Sequence, residues 1–234
     1  GKSTLAAEVA HRLASDEWIV ASVVGETEPH RIFMALRKAV FARSSAVSGQ
    51  ERARLQNVAE DLDNPKFDWE AKLTTLAQNV TSYWPVLLLL DNFESNLDGD
   101  NRVTSGPLAD FLARWPAAAG NGRLILTSRH PPVLTDGADG RYAHLHLGPL
   151  TPAETRKLVW RLPGLDALPP DDLRRANAEV GGHPRALEYL DALLRGGEAR
   201  FDDIEKRLAA ALAKRGVTDP DDWCRNHSNL DAAM

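Results

Sequence analysis

The chain has 234 residues, 43% of them hydrophobic and 26% charged, with a formal net charge of −5 and a pI near 5.8. That composition suits a globular protein with one large or two small cores, and its acidity gives no general electrostatic reason for this segment to bind nucleic acid. The longest apolar run, residues 86–90, is too short to span a bilayer, the N-terminus lacks a signal-peptide core, and the lone Cys224 excludes an internal disulfide. These features point to a cytoplasmic protein without a membrane partner.

Gly1-Lys2-Ser3-Thr4 matches the second half of a phosphate-binding loop, Gly-x4-Gly-Lys-Ser/Thr. The strand and first glycine of the full pattern do not precede it, and the chain lacks an initiator methionine, as expected of a piece cut from a longer polypeptide. In a complete loop, backbone N–H groups and the helix N-terminus surround the phosphates, the lysine reaches the β and γ phosphates, and the hydroxyl holds Mg²⁺. The same residues also fit an ordinary helix start, with Ser3 as N-cap and Leu5, Val9 and Leu13 as an apolar stripe. The tetrapeptide alone leaves both readings open.

Helical spacing runs over residues 4–15, and 18–24 (WIVASVV) reads as a short buried strand closed by Gly25. Helices are expected at 29–42, 50–61 and 69–83, the last two parted by the breaker Asn64-Pro65. Residues 85–91 (PVLLLLD) form the most hydrophobic strand candidate. A polar loop is expected at 96–106, a helix at 107–118, a strand at 123–127 (RLILT), a second loop at 131–140 and a last strand at 143–147. Continuously apolar strands alternating with helices indicate an α/β domain with a parallel sheet covered on both faces. From Thr151 the strands stop. A capping box, Thr151-Pro152-Ala153-Glu154, opens a helix to about Arg161, and further helices are expected at 170–180, 184–194 and 201–214. The organisation expected is therefore an α/β domain over 1–148, a smaller all-α domain over 149–196, and a helix and tail over 197–234.

Ligands of parallel sheets bind beyond the carboxyl ends of the strands. Asp91 ends one such strand, where a carboxylate can hold Mg²⁺ opposite the Ser3 hydroxyl or simply cap a turn. Asn92 and Glu94 follow it, each within reach of a metal shell or an attacking water, and Glu94 equally suits a surface charge. Thr127-Ser128-Arg129 ends the next strand and falls beside Asp91 if the two strands are adjacent. A guanidinium such as that of Arg129 matches phosphate oxygens, and it also suits a loop carboxylate. The seven histidines and Cys224 show no metal-ligand spacing.

In order, GKSTLA, VLLLLDNFE, RLILTSR, LGPLTPAE and GGHPRALEYL resemble the motifs of the signal-transduction ATPases with numerous domains, the STAND class that includes NB-ARC proteins. They look like its P-loop, Walker B, sensor arginine, helical-domain junction and Gly-x-Pro motifs, covering residues 1 to about 195. The resemblance implies a P-loop fold that binds ATP/ADP with Mg²⁺. Gly1, Lys2, Ser3 and Thr4 would hold phosphates, Lys2 at the β and γ and Thr4 near the α. Ser3 and Asp91 would hold the metal, Arg129 would read the γ phosphate, and Pro184 would pack near the adenine. The Gly181-Gly182-His183-Pro184 stretch also fits a helix stop followed by a new helix, and the two readings are compatible.

The chain departs from the wider pattern at Asn92, where many such ATPases carry an acid. An amide cannot act as a general base, so hydrolysis is expected to be slow, or to depend on Glu94 or a partner. The absent first strand would lie in mid-sheet, so these residues alone are expected to expose strand edges or rearrange. Past residue 195 the resemblance implies a winged-helix domain, though 201–214 also fits a solvated amphipathic helix. Two functions follow from these readings. One is an ATP/ADP-controlled switch acting on other domains of its parent chain, with homo-oligomerisation on activation. The other is a non-hydrolysing scaffold of the same fold.

Overall fold

A computed structural model describes residues 1–15, 17–134 and 141–195. The helix expected at 201–214, the tail and Cys224 lie outside the described residues. The chain divides into two compact units, one spanning Lys2–Leu145 and the other beginning at His146.

The first unit is α/β. Its sheet has three parallel strands in the order β1 (Ile19–Val24), β2 (Val86–Asp91), β3 (Gly122–Leu126). Every residue of β2 from Val86 to Leu90 is buried, which explains a run with no polar alternation. By the two-residue period of a strand, Val86, Leu88 and Leu90 point to one face and Leu87 and Leu89 to the other. The first set joins a core built by α2 (Pro29–Ser44), α3 (Gly49–Asp63), α4 (Trp69–Leu76) and α5 (Gly106–Ala118). Helix α2 contributes Ile32, Phe33, Leu36 and Val40 along one stripe, and α3 contributes Leu55, Val58, Ala59 and Leu62. Phe111 of α5 packs against Phe33, Trp69 and Trp115 with ring centroids 5.8, 6.1 and 5.5 Å away. On the other face α1 (Lys2–Ser15) packs against β1 and β2, burying Ala6.

Local chemistry sets several element ends. Asp68 accepts the Ala71 N–H at 2.8 Å to start α4, and Ser105 accepts the Leu108 N–H at 3.3 Å to start α5. The helix expected over 69–83 is α-helical only to Leu76 and continues as a π-helical turn over Ala77–Thr81, which buries Val80 and Thr81.

The strand expected at 143–147 does not form. Its segment, Ala143-His144-Leu145-His146-Leu147, has strand-like alternation, but no described strand pairs with it, and Leu145 and Leu147 are exposed. Alternation marks a face to bury, whereas a strand also needs a ladder of hydrogen bonds from a neighbour. The three strands that form are contiguous, so no gap opens between them. The outer edge of β3 pairs with no strand among the described residues, and the strand is only part-buried.

The second unit is helical over its described residues: α6 (Pro152–Val159), α7 (Pro163–Asp166), α8 (Pro170–Glu179) and α9 (Pro184–Arg195). Val159, Leu162, Leu165, Ala176, Val180, Leu187 and Leu190 form its core. Gly181 and Gly182 have left-handed φ of 56° and 62° after α8, and a Cβ on Gly182 would lie 3.0 Å from the Leu150 carbonyl. The helix stop and new start read from these residues are therefore present, with Pro184 opening α9.

The capping box at α6 is complete. Glu154 Oε2 accepts the Thr151 N–H at 2.8 Å and its hydroxyl at 2.7 Å, and the Glu154 N–H donates to Thr151 Oγ1 at 3.3 Å. The backbone hydrogen bond from Thr151, followed by that from its hydroxyl, holds the Glu154 carboxyl below its ordinary value. A folded-state value below the unfolded one means stabilisation that is full above the unfolded value and disappears as pH falls through the folded one. Glu154→Gln is expected to lower the stability of this unit slightly at neutral pH and to be indistinguishable from wild type once Glu154 is protonated. Thermal melts at the two pH values check this.

Candidate functional site

The carboxyl ends of all three strands lie along one edge of the sheet, since β1 and β3 both run parallel to β2, with Val24 opposite Asp91 and Leu126 opposite Leu90. Such an edge collects loops that follow each strand, and these loops carry most of the polar residues singled out from the sequence. The adjacency on which Thr127, Ser128 and Arg129 depended is present.

Thr127 sits where β3 leaves the sheet and is 8% exposed. Its hydroxyl donates to Asp91 Oδ1 at 2.5 Å and accepts the Asn92 N–H at 3.1 Å. Its backbone N–H donates to the Leu90 carbonyl at 2.9 Å, and its carbonyl accepts the Phe93 N–H at 2.8 Å. One residue thereby engages four consecutive positions of the neighbouring segment, from Leu90 to Phe93. Thr127 entered the sequence reading only as part of a polar strand end; its burial and pairing with Asp91 require the register.

Asn92 has a left-handed φ of 58° and starts a 3-10 turn over Phe93–Asn96. Asparagine tolerates this conformation better than most residues, so the amide that breaks the expected acidic pattern answers a backbone demand. Its side chain is placed by that turn on an exposed residue. Glu94 and Arg129 pair with each other at 2.8 Å, with 22% and 34% of the side chains exposed. The loop-carboxylate partner read for Arg129 is Glu94.

Asn96, expected only as a loop residue, is 3% exposed and joins two loops of the edge. Its Oδ1 accepts the Thr27 N–H at 2.7 Å, and its Nδ2 donates to the carbonyls of Gly25 at 3.1 Å and Phe93 at 3.2 Å. Gly25 N–H in turn donates to the Asp91 carbonyl at 2.9 Å. The loop after β1 is thereby tied to the turn after β2, on either side of Asp91.

Gly1 precedes α1, and Lys2, Ser3 and Thr4 form its first turn, with Ser3 and Thr4 exposed and Lys2 part-buried. Pro184 belongs to the second unit. Among the described residues no cluster of three or more His, Cys, Asp or Glu side chains forms a metal site, and no helix is long and apolar enough to cross a membrane.

Chemically, the edge offers one carboxylate steadied by a hydroxyl and a guanidinium held by a second carboxylate, while α1, packed on the sheet, carries a lysine and two hydroxyls in its first turn. A carboxylate with hydroxyl oxygens is the donor set a hard divalent cation takes, and a lysine with helix N–H groups suits phosphate. No family model, curated protein or solved structure matches this chain.

Proposed function

We propose that the chain is the core of a Mg²⁺-dependent ATP/ADP-binding switch of the STAND P-loop class, controlling other domains of its parent polypeptide from the cytoplasm. The observation that carries this reading is the meeting of Asp91 and Thr127 at the carboxyl edge of a parallel sheet whose flanking helix starts with Lys-Ser-Thr directly after Gly1. In this reading Lys2 neutralises the β and γ phosphates, while Gly1 and Thr4 contribute backbone and hydroxyl contacts. Ser3 and Asp91 hold Mg²⁺, which supplies charge neutralisation to the phosphates when bound. Arg129 exchanges Glu94 for the γ phosphate. The energetic logic is a population shift: a nucleotide bound more tightly by one arrangement of the parent chain favours that arrangement, with a homo-oligomer as the activated form.

The test is nucleotide binding by the full-length protein with its complete phosphate loop. Mg²⁺-dependent binding of ATP or ADP, measured by calorimetry, is expected to weaken at least about tenfold in Lys2→Ala through loss of a charge-assisted phosphate contact. No binding at millimolar nucleotide would overturn the proposal.

A second reading, a nucleotide-binding scaffold that does not turn over, is favoured by two contacts. Asn92 serves the backbone turn, and Glu94 is held by Arg129, so neither stands ready as a general base. Phosphate release that disappears in Asp91→Ala sinks the scaffold reading.

A further inference from the structure

We propose that Thr127 is the positioning residue for Asp91 and that it sets the choice of cation at this carboxylate, Mg²⁺ over Ca²⁺. The proposal rests on the nucleotide-binding reading and extends it to a residue and a selectivity which that reading does not contain. A hydroxyl has a single proton. Thr127 commits its proton to Asp91 Oδ1 at 2.5 Å and accepts the Asn92 N–H at 3.1 Å, so its rotation is fixed from both sides. At 8% exposure, Thr127 loses little of this arrangement to competing water. Its N–H donating to the Leu90 carbonyl and its carbonyl accepting the Phe93 N–H hold its backbone in the same register.

The consequence falls on how Asp91 can meet a cation. With one lone-pair site of Oδ1 taken by the hydroxyl proton, Oδ2 is the stronger donor to a metal, and two-oxygen chelation makes Oδ1 share its electron density between the hydroxyl and the cation. Ca²⁺ is large, takes six to eight oxygens and readily accepts a bidentate carboxylate. Mg²⁺ is small, requires near-octahedral geometry and is held through single carboxylate oxygens with waters and phosphates. The hydroxyl therefore lowers the entropy lost in orienting Asp91 for Mg²⁺ and disfavours the mode that Ca²⁺ prefers.

The experiment measures half-saturating Mg²⁺ and Ca²⁺ concentrations for ATP binding by the full-length protein, in wild type, Thr127→Ser, Thr127→Val and Thr127→Ala. Thr127→Ser is expected to match wild type. Valine keeps the shape and alanine the backbone bonds, and each is expected to raise the Mg²⁺ requirement about tenfold while bringing the Ca²⁺ requirement closer to it. A purely structural loss would lower the melting temperature and move both cations together. Equal Mg²⁺/Ca²⁺ ratios in wild type and in the folded Val or Ala variant overturn the role of Thr127 and leave the nucleotide reading intact. Absence of any cation-dependent ATP binding in wild type overturns both.

Discussion

Asn96→Ala is expected to destabilise the first unit by about 3 kcal/mol, because three side-chain hydrogen bonds to main-chain groups vanish and those groups stay enclosed. The Thr27 N–H and the Gly25 and Phe93 carbonyls lose their partners, and Thr27 is 3% exposed, so water cannot replace the amide without opening the loops. The carbonyl of Asn96, which accepts from the Thr104 N–H at 3.0 Å and its hydroxyl at 3.2 Å, survives the substitution. Asn96→Asp keeps the acceptor for Thr27 but removes both donors and places a carboxylate against two carbonyls, so its cost is expected to equal or exceed that of alanine. Urea unfolding checks the magnitude: the midpoint moves while the m-value holds. A loss below about 1 kcal/mol would show that the loops reseat around water and that Asn96 is not their staple. The effect reaches the site, because the loop that Asn96 secures is the one whose Gly25 N–H holds the Asp91 carbonyl.

The parts of this fold legible in the sequence are those governed by local pattern. Residues 86–90 could be buried only as a central strand, and Thr151 with Glu154 could cap only the helix they begin. The candidate site was half legible. Asp91 reads as a strand end from its position after five apolar residues, and Thr127 falls beside it once β2 and β3 are adjacent. Asn96 could not be found this way, since its partners Thr27 and Gly25 are 69 and 71 residues distant and an asparagine among Asp, Gly and Ser looks like any loop residue. Asn92 was read through its side-chain chemistry, whereas the property that accounts for it here is its backbone conformation. The failed strand at 143–147 marks a different limit. Its leucines satisfy the alternation rule, but pairing is a property of two segments, and no local pattern reports whether the second one is present.

Asp191→Ala is expected to cost the helical unit about 3 kcal/mol, almost all of it from two main-chain donors rather than from a lost ion pair. Asp191 is fully buried, and its Oδ1 accepts the N–H groups of Gly164 at 2.7 Å and Leu165 at 3.2 Å, the first turn of α7. Arg195 Nε lies 2.9 Å from Oδ2 yet is not aligned for a hydrogen bond, and its side chain is 58% exposed. Removing the carboxylate therefore releases the guanidinium to water, so the large penalty of a stranded buried charge does not arise. The two N–H groups have no such escape, because Leu165 is fully buried and Gly164 is wedged so closely that a Cβ on it would sit 2.9 Å from the Asp191 carbonyl. Asp191→Asn retains an acceptor at Oδ1 and is expected to cost about half as much, while Arg195→Ala is expected to cost less than about 1 kcal/mol. Amide hydrogen exchange separates these contributions: the Gly164 and Leu165 amides should exchange faster in Asp191→Ala, with the amides of β2 unchanged. If Arg195→Ala proves as damaging as Asp191→Ala, the ion pair and not the main-chain cap holds α7 in place.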